Sequence, residues 1–395
     1  MDLKGRVVQN LDLKGKRVFI RVDFNVPVSD GRVVDDTRIQ KAYKTIDYVL
    51  DQGGSAVLAS HFKRPKGTGY EKDKSLYPVF QYLQAKYPGI RFAESCVGPA
   101  TEAQAKALAP GDVLLLENLR FFKQEKANDQ AFARDLARLA DVYVNDAFGS
   151  SHRAHASIYS VPRYTRAKAV GFLIQQECEN LSRLLDAGEH PYVAVMGGAK
   201  VSTKLSVLEN LLKRVDTCLI GGGMAYTFLK LAGHTIGSSL FEPDVQEACR
   251  YYLNTYAEKL VLPTDHIAGA EFAENTPPVA VNGPDIADGL MGMDIGPKTL
   301  AHYQQVIAQA KTVFWNGPMG VFEFPAFSKG TMAIAHAIAD SPAFSVIGGG
   351  ESSQAVQQAG READIHFIST GGGASLEFLG GVLLPGLEAI LQEEE

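Results

Sequence analysis

Short apolar runs alternate along the chain with amphipathic stretches of helical length, the pattern of a parallel sheet joined by crossover helices. The runs fall at Arg17–Val22, 55–60, Val113–Leu116 and 142–144, then at 192–195, Thr217–Ile220, 260–262, 312–315, 344–347 and 365–368. Between them the segments 41–50, 129–139, 204–212 and 300–310 carry a helical apolar stripe. The pattern predicts an α/β protein of two doubly wound, Rossmann-like parallel-sheet domains. With 395 residues the chain is too long for one hydrophobic core, which agrees with two. A further apolar stripe at 173–185, following the segment 161–171, predicts a connecting helix between them.

Composition narrows the classes. The chain is 46% hydrophobic and 21% charged, which suits a folded globular protein rather than a disordered one. No uncharged apolar stretch approaches membrane-spanning length, and the first residues hold Asp2, Lys4, Arg6 and Asp12 instead of a leader's apolar region. Four cysteines lie far apart with no C-x-x-C pair, which argues against a disulfide framework or thiolate zinc site and predicts a reducing, cytoplasmic setting. Net charge is −6 but unevenly spread: residues 1–171 hold 27 Lys/Arg against 19 Asp/Glu, and the remainder 12 against 26.

In doubly wound sheets, ligands bind at the carboxyl ends of the strands, so the residues after each run carry the chemistry. In the first half these are Asp23 and Asn25; His61, Lys63 and Arg64; Glu117, Asn118 and Arg120; Asn145 and Asp146; and then His152, Arg153 and His155. In the second half they are chiefly glycines, at 197–198, 221–223, 348–350 and 371–373, with Asn316-Gly317-Pro318. Guanidinium groups pair with phosphate or carboxylate in a two-pronged geometry, so the first set suits a small polyanion. Glycines between strand and helix let backbone N–H groups approach phosphates. A single glycine pair is an ordinary tight turn, and a single histidine an ordinary hydrogen-bonded one; their repetition at successive strand ends makes the case. Arg21, inside a strand run, reads as an ion-pair partner.

Absent motifs also discriminate. There is no Walker-type P-loop, no G-x-G-x-x-G with a following acid, no G-x-S-x-G and no H-E-x-x-H. The basic half lacks aromatic platforms or a Lys/Arg run, which disfavours nucleic acid. Phosphoryl transfer between a small anion and a nucleotide remains.

The strand-end segments resemble the phosphoglycerate kinase family from end to end. They are RVDFNVP at 21–27, SHFKRPK at 60–66, ENLRFF at 117–122, NDAFGSSHRAH at 145–155, MGGAKVS at 196–202, WNGPMGVFE at 315–323 and STGGGASLE at 369–377. The resemblance implies reversible transfer of the 1-phosphoryl group of 1,3-bisphosphoglycerate to Mg-ADP, giving 3-phosphoglycerate and Mg-ATP, in a cytoplasmic monomer. It implies a 3-phosphoglycerate pocket of Asp23, Asn25, Arg38, His61, Arg64, Arg120 and Arg153 in a domain 1–171. It also implies an interdomain helix 172–186, a nucleotide domain 187–374, and a C-terminal segment 375–395 packed back on the first domain. Nucleotide contacts implied are Gly198, Lys204, Gly292, Glu323, Gly349, Gly350, Glu351 and Ser352. Arg38, Lys200 and the backbone near Gly373 would flank the migrating group, with closure of the two domains aligning the substrates. Only the resemblance singles out Arg38, which lies at no predicted strand end.

Three features depart from the family pattern. Glu351 stands where Asp usually ligates Mg²⁺, Ser352 where Thr is common, and Phe62-Lys63 where Leu-Gly is usual. Lys63 either adds a cation beside the anion pocket or points to solvent. Glu351 keeps a second reading open, a non-catalytic homologue that binds nucleotide and glycerate.

Overall fold

The computed structural model describes residues 2–186 and 189–392. The chain forms two compact units, Met1–Glu179 with Leu383–Glu395, and Asn180–Val382.

The first unit holds a six-stranded parallel sheet of β1 (Arg17–Val22), β2 (Ser55–Ala59), β3 (Arg91–Ala93), β4 (Val113–Leu116), β5 (Val142–Asp146) and β6 (Ala167–Val170), in the order β3-β4-β2-β1-β5-β6. Strands β2, β4 and β5 are buried along their whole length, because helices cover both faces and leave no polar face to present. That is why they read as continuous apolar runs. Ile39, Ala42, Ile46 and Val49 of helix Thr37–Asp51 form the buried stripe against Val18, Ile20, Leu58 and Val144.

In the second unit β7 (Tyr192–Met196), β8 (Thr217–Ile220), β9 (Leu260–Val261), β13 (Thr312–Asn316), β14 (Phe344–Gly348) and β15 (Phe367–Ile368) build a parallel sheet in the order β9-β8-β7-β13-β14-β15. An antiparallel sheet of β10 (His266–Gly269), β11 (Val279–Val281) and β12 (Met291–Ile295), ordered β11-β10-β12, lies between β9 and β13 in sequence. The strand order reverses beside β1 in the first unit and between β7 and β13 in the second, which is where such sheets open a crevice for ligands.

Sequence patterning missed β3, β6 and the antiparallel sheet. The first two are short sheet-edge strands, and β11 is largely exposed. A helix spans Phe172–Leu185, and the division between the units falls inside it, at 179/180. Its amino end is held by Asp146, whose Oδ1 accepts from Leu173 N at 2.9 Å, and by Thr45 Oγ1, which accepts from Phe172 N at 2.9 Å. The expected return at 375 needs correction. Helix Gly373–Leu379 belongs to the second unit, with the Leu379 carbonyl accepting from Asn210 Nδ2, and the return begins at Leu383. There Gly386 N donates to the Ser151 carbonyl at 2.8 Å. The expected boundary at 187 and the last residues, 393–395, lie outside the described residues.

Candidate active site

In the first unit four strand ends and one helix start bring the basic set together. Asp23 and Asn25 follow β1, His61 follows β2, Arg120 sits in the 3-10 turn Leu119–Phe121 after β4, and Arg153 follows β5. Arg38 arrives from the first turn of helix Thr37–Asp51, and its Nη1 donates to Asp23 Oδ2 at 3.0 Å and to the Asn25 carbonyl at 3.3 Å. The Arg120 guanidinium donates to the Lys63 carbonyl at 2.9 Å. His61 is buried with the charges of Arg21, Arg120, Arg38 and Arg153 around it, and desolvation followed by those charges holds its pKa well below the ordinary range. His155 is pushed down to about 3 by burial and then by Arg21, Arg120, Arg153 and Lys126. Guanidiniums gathered in this way disfavour protonation of the neighbouring histidines and make this end of the sheet strongly positive, chemistry suited to an anion. Arg64 and Arg153 are exposed; Arg153 Nε donates to His152 Nε2 at 3.1 Å.

Lys63 is exposed and its Nζ donates to the Asp73 carbonyl at 2.9 Å, away from that cluster. Its φ of 52° also explains the family's usual glycine: the left-handed conformation is open to Gly without penalty and costs other residues about 1 kcal/mol. Lys63 N, held this way, donates to Asn25 Oδ1 at 2.8 Å. Two residues outside the expected set shape this loop. Asn118 donates to the Phe62 and Lys74 carbonyls at 2.6 and 2.8 Å and accepts from Phe62 N and Arg120 N, both at 3.0 Å. Glu117 accepts from Leu76 N at 2.8 Å and Ser75 Oγ at 2.5 Å. Both stand at a strand end in the sequence, but no pattern tells a tying residue from a ligand.

The second unit gathers glycines about one lysine. Lys204, at the start of helix Leu205–Leu212, is only 8% exposed, and its Nζ donates to the Asn316 carbonyl at 3.1 Å and to Asn316 Oδ1. Burial lowers its pKa to about 8, opposed by the negative charge of Glu351. Asn316 Nδ2 in turn donates to the Gly348 carbonyl at 2.7 Å, and Ser352 Oγ accepts from Gly317 N at 2.6 Å. Gly317 has a φ of 92°, and a Cβ there would press on Lys204 Nζ and the Gly197 carbonyl. The ends of β7, β13 and β14 are thereby knotted together, with Gly198 and Gly349 alongside. Asn316, which carries the knot, was legible only as a strand-end residue.

Gly350 and Glu351 open helix Gly350–Gln358, with Glu351 exposed. Gly373 opens the helix after β15, and Lys200 is exposed after β7. Gly292, on β12, donates its N–H to Ser239 Oγ at 2.9 Å, and a Cβ there would overlap the Tyr226 ring. Glu323 is exposed on the segment after β13, which Val321 N ties to the Met293 carbonyl at 2.8 Å. Among the described residues no group of three or more His, Cys, Asp or Glu could hold a metal ion, and no helix is long and apolar enough to cross a membrane.

Comparisons with known proteins bear on the family and the fold. The phosphoglycerate kinase family model matches residues 8–382. A phosphoglycerate kinase of Anaeromyxobacter sp. (strain K) is 51% identical over 390 residues, covering 97% of this chain and 98% of that protein. One of Leptospira biflexa is 49% identical over 397 residues and covers all of both. The solved phosphoglycerate kinase of Coxiella burnetii superposes with a TM-score of 0.90 at 40% identity, over 98% of this chain and 99% of that one. That of Pyrococcus horikoshii OT3 gives 0.83 at 31% identity, over 97% and 98%. With motifs, fold and relatives all coinciding over nearly the whole length, the chain belongs to the phosphoglycerate kinase family.

Proposed function

We propose that this chain transfers the 1-phosphoryl group of 1,3-bisphosphoglycerate to Mg-ADP, reversibly, yielding 3-phosphoglycerate and Mg-ATP. The observation that carries the reading is the gathering of Arg21, Arg38, Arg120 and Arg153 near the buried His61, whose pKa burial and their charges lower, a setting suited to a compact polyanion. Arg64, exposed on the same loop as His61, joins it when substrate is bound. Asp23 and Asn25 take the hydroxyl and carboxyl end.

On the nucleotide side Lys204 and the glycine-rich strand ends take the phosphates, Glu323 the ribose hydroxyls, and Gly292, Gly350 and Ser352 make further contacts to the nucleotide. Glu351 suits a nucleotide-borne Mg²⁺, because that ion keeps most of its waters and needs one or two carboxylates beside substrate phosphates. When bound, the ion neutralises phosphate charge. The protein's own part is positional: Arg38, Lys200 and the backbone N–H groups near Gly373 hold the group in transit and offset its charge. An acyl phosphate is already a good leaving group, so no general base is needed. Closure of the units belongs to the same proposal, and small-angle scattering should give a smaller radius of gyration with both substrates than with either. So do a monomeric state and a cytoplasmic setting, which the four free, buried cysteines suit.

A coupled assay of ATP and 3-phosphoglycerate turnover, with Mg²⁺ titrated, tests the reading. Turnover saturating in both substrates supports it; nucleotide and glycerate binding without turnover would favour the inactive reading, for which no observation speaks.

A further inference from the structure

We propose that Arg21, Ser157 and Glu125 form a buried positioning relay that fixes the tautomer of His61, leaving Nδ1 bare and the ring proton on Nε2. The pocket then offers the glycerate end of the substrate a neutral N–H donor rather than another cation. The inference rests on the reading above that His61 lines that pocket.

Arg21 Nη2 lies 3.2 Å from His61 Nδ1. A guanidinium has five N–H donors and no acceptor, so Nδ1 must accept, and a neutral ring then carries its proton on Nε2. Arg21 has no freedom to turn away. It is 1% exposed, its Nε donates to Ser157 Oγ at 2.9 Å, and its Nη1 donates to the Val22 carbonyl. Ser157 Oγ passes the polarity on, donating to Glu125 Oε1 at 2.6 Å, while Ser157 N donates to Glu125 Oε2 at 2.9 Å. Tyr143 Oη fixes the same residue by donating to its carbonyl at 2.8 Å.

Glu125 and Ser157 are fully buried. A buried guanidinium needs a nearby counter-charge, and Glu125 supplies it one hydroxyl away. The charge is thus balanced on the side of Arg21 remote from His61, so the pocket face stays positive. Other groups facing His61 are Arg38, Arg120 and Arg153, with Asp23 Oδ1 at 4.0 Å from Nδ1; His155 Nδ1 stands 4.0 Å from Glu125 Oε1. The three relay residues come from β1, the short helix Lys123–Lys126 and the turn Ala156–Ser160, so no local motif announces them.

The test uses the full chain labelled with ¹⁵N-histidine. His61 is assigned by difference with His61→Gln, and long-range ¹H–¹⁵N spectra are recorded without ligand from about pH 5.5 to 8. Expected is a pyridine-type Nδ1 and a pyrrole-type Nε2 at every pH; an imidazolium, an Nδ1–H ring or a titration inside that window overturns the relay. Two variants extend the test, Arg21→Met and the double Arg21→Met/Glu125→Gln, which removes both buried charges so that neither is stranded. In either, His61 should titrate closer to its ordinary value of about 6.5, and KM for 3-phosphoglycerate should rise roughly tenfold with kcat changed far less. The ratio of variant to wild-type KM should then fall as the pH is lowered, because the new imidazolium restores positive charge. A His61 that still does not titrate in a folded variant overturns the relay. A titrating His61 with unchanged KM leaves the tautomer assignment standing and overturns the pocket reading beneath the proposal.

Discussion

Replacing Lys204 by methionine should make the ligand-free second unit more stable at pH 7.5 while removing turnover. The side chain is 8% exposed, and burial lowers its pKa from 10.5 to about 8. A lysine whose folded pKa lies below its unfolded one binds fewer protons when folded. Its burial therefore weakens the fold most below pH 8, and stability recovers as pH rises from about 8 to 10.5. A displacement of that size is worth about 3 kcal/mol at neutral pH. Methionine keeps the stem and removes the charge, but it strands Asn316 Oδ1, at a cost of about 1–2 kcal/mol. The Asn316 carbonyl keeps its bond from Gly197 N at 2.9 Å. The net gain is then about 1–2 kcal/mol at pH 7.5, shrinking to nothing or reversing by pH ~10. Urea unfolding followed by tryptophan fluorescence measures it, because the single tryptophan, Trp315, is buried in the same unit with its Nε1 donating to the Gly317 carbonyl at 2.7 Å. A variant less stable than wild type at pH 7.5, by an amount that does not change with pH, would refute the argument that Lys204 is held charged at the expense of stability.

Gly292→Ala should weaken ADP binding and leave 3-phosphoglycerate binding unchanged in calorimetric titrations, since its Cβ would overlap Tyr226 in the second unit only. Overpacking of this kind costs about 1–3 kcal/mol. Glu351→Asp should shift the Mg²⁺ concentration for half-maximal rate while 3-phosphoglycerate KM stays constant, because the shorter carboxylate changes reach at the nucleotide side alone. An equal shift in both would remove Glu351 from the metal's neighbourhood. All four cysteines are buried, with Cys178, Cys218 and Cys249 pushed up to about 12 and Cys96 well above its ordinary value by desolvation. A thiol reagent at pH 8 should therefore titrate none of them until denaturant is added, and a rapid reaction in native protein would contradict that burial.

Much of this protein was readable from its sequence. Central parallel strands are buried on both faces, so β2, β4, β5, β7 and β13 stood out as unbroken apolar runs, and the residues after them supplied most of the candidate site. Edge strands such as β3, and the exposed β11, lack that signature because only part of each is buried. Arg38 was beyond strand reasoning altogether, since it enters the pocket from a helix start, and the family resemblance alone marked it.

Tertiary structure decided the state of the site residues. The glycines at 197–198, 317 and 349 suggested a phosphate cradle, but only their convergence shows that Lys204 is buried and that Asn316 holds it. Arg21 looked like an ion-pair partner; folded, it reaches a serine hydroxyl, a carbonyl and His61, with its counter-charge on Glu125 one residue removed. Lys63, which the sequence left between pocket and solvent, donates from its Nζ to the Asp73 carbonyl. Periodicity records which face of an element is buried, a property of neighbours along the chain. Charge state, tautomer and reach depend on dielectric and on groups that meet only when distant segments fold together, as Ser157 meets Arg21 across 136 positions.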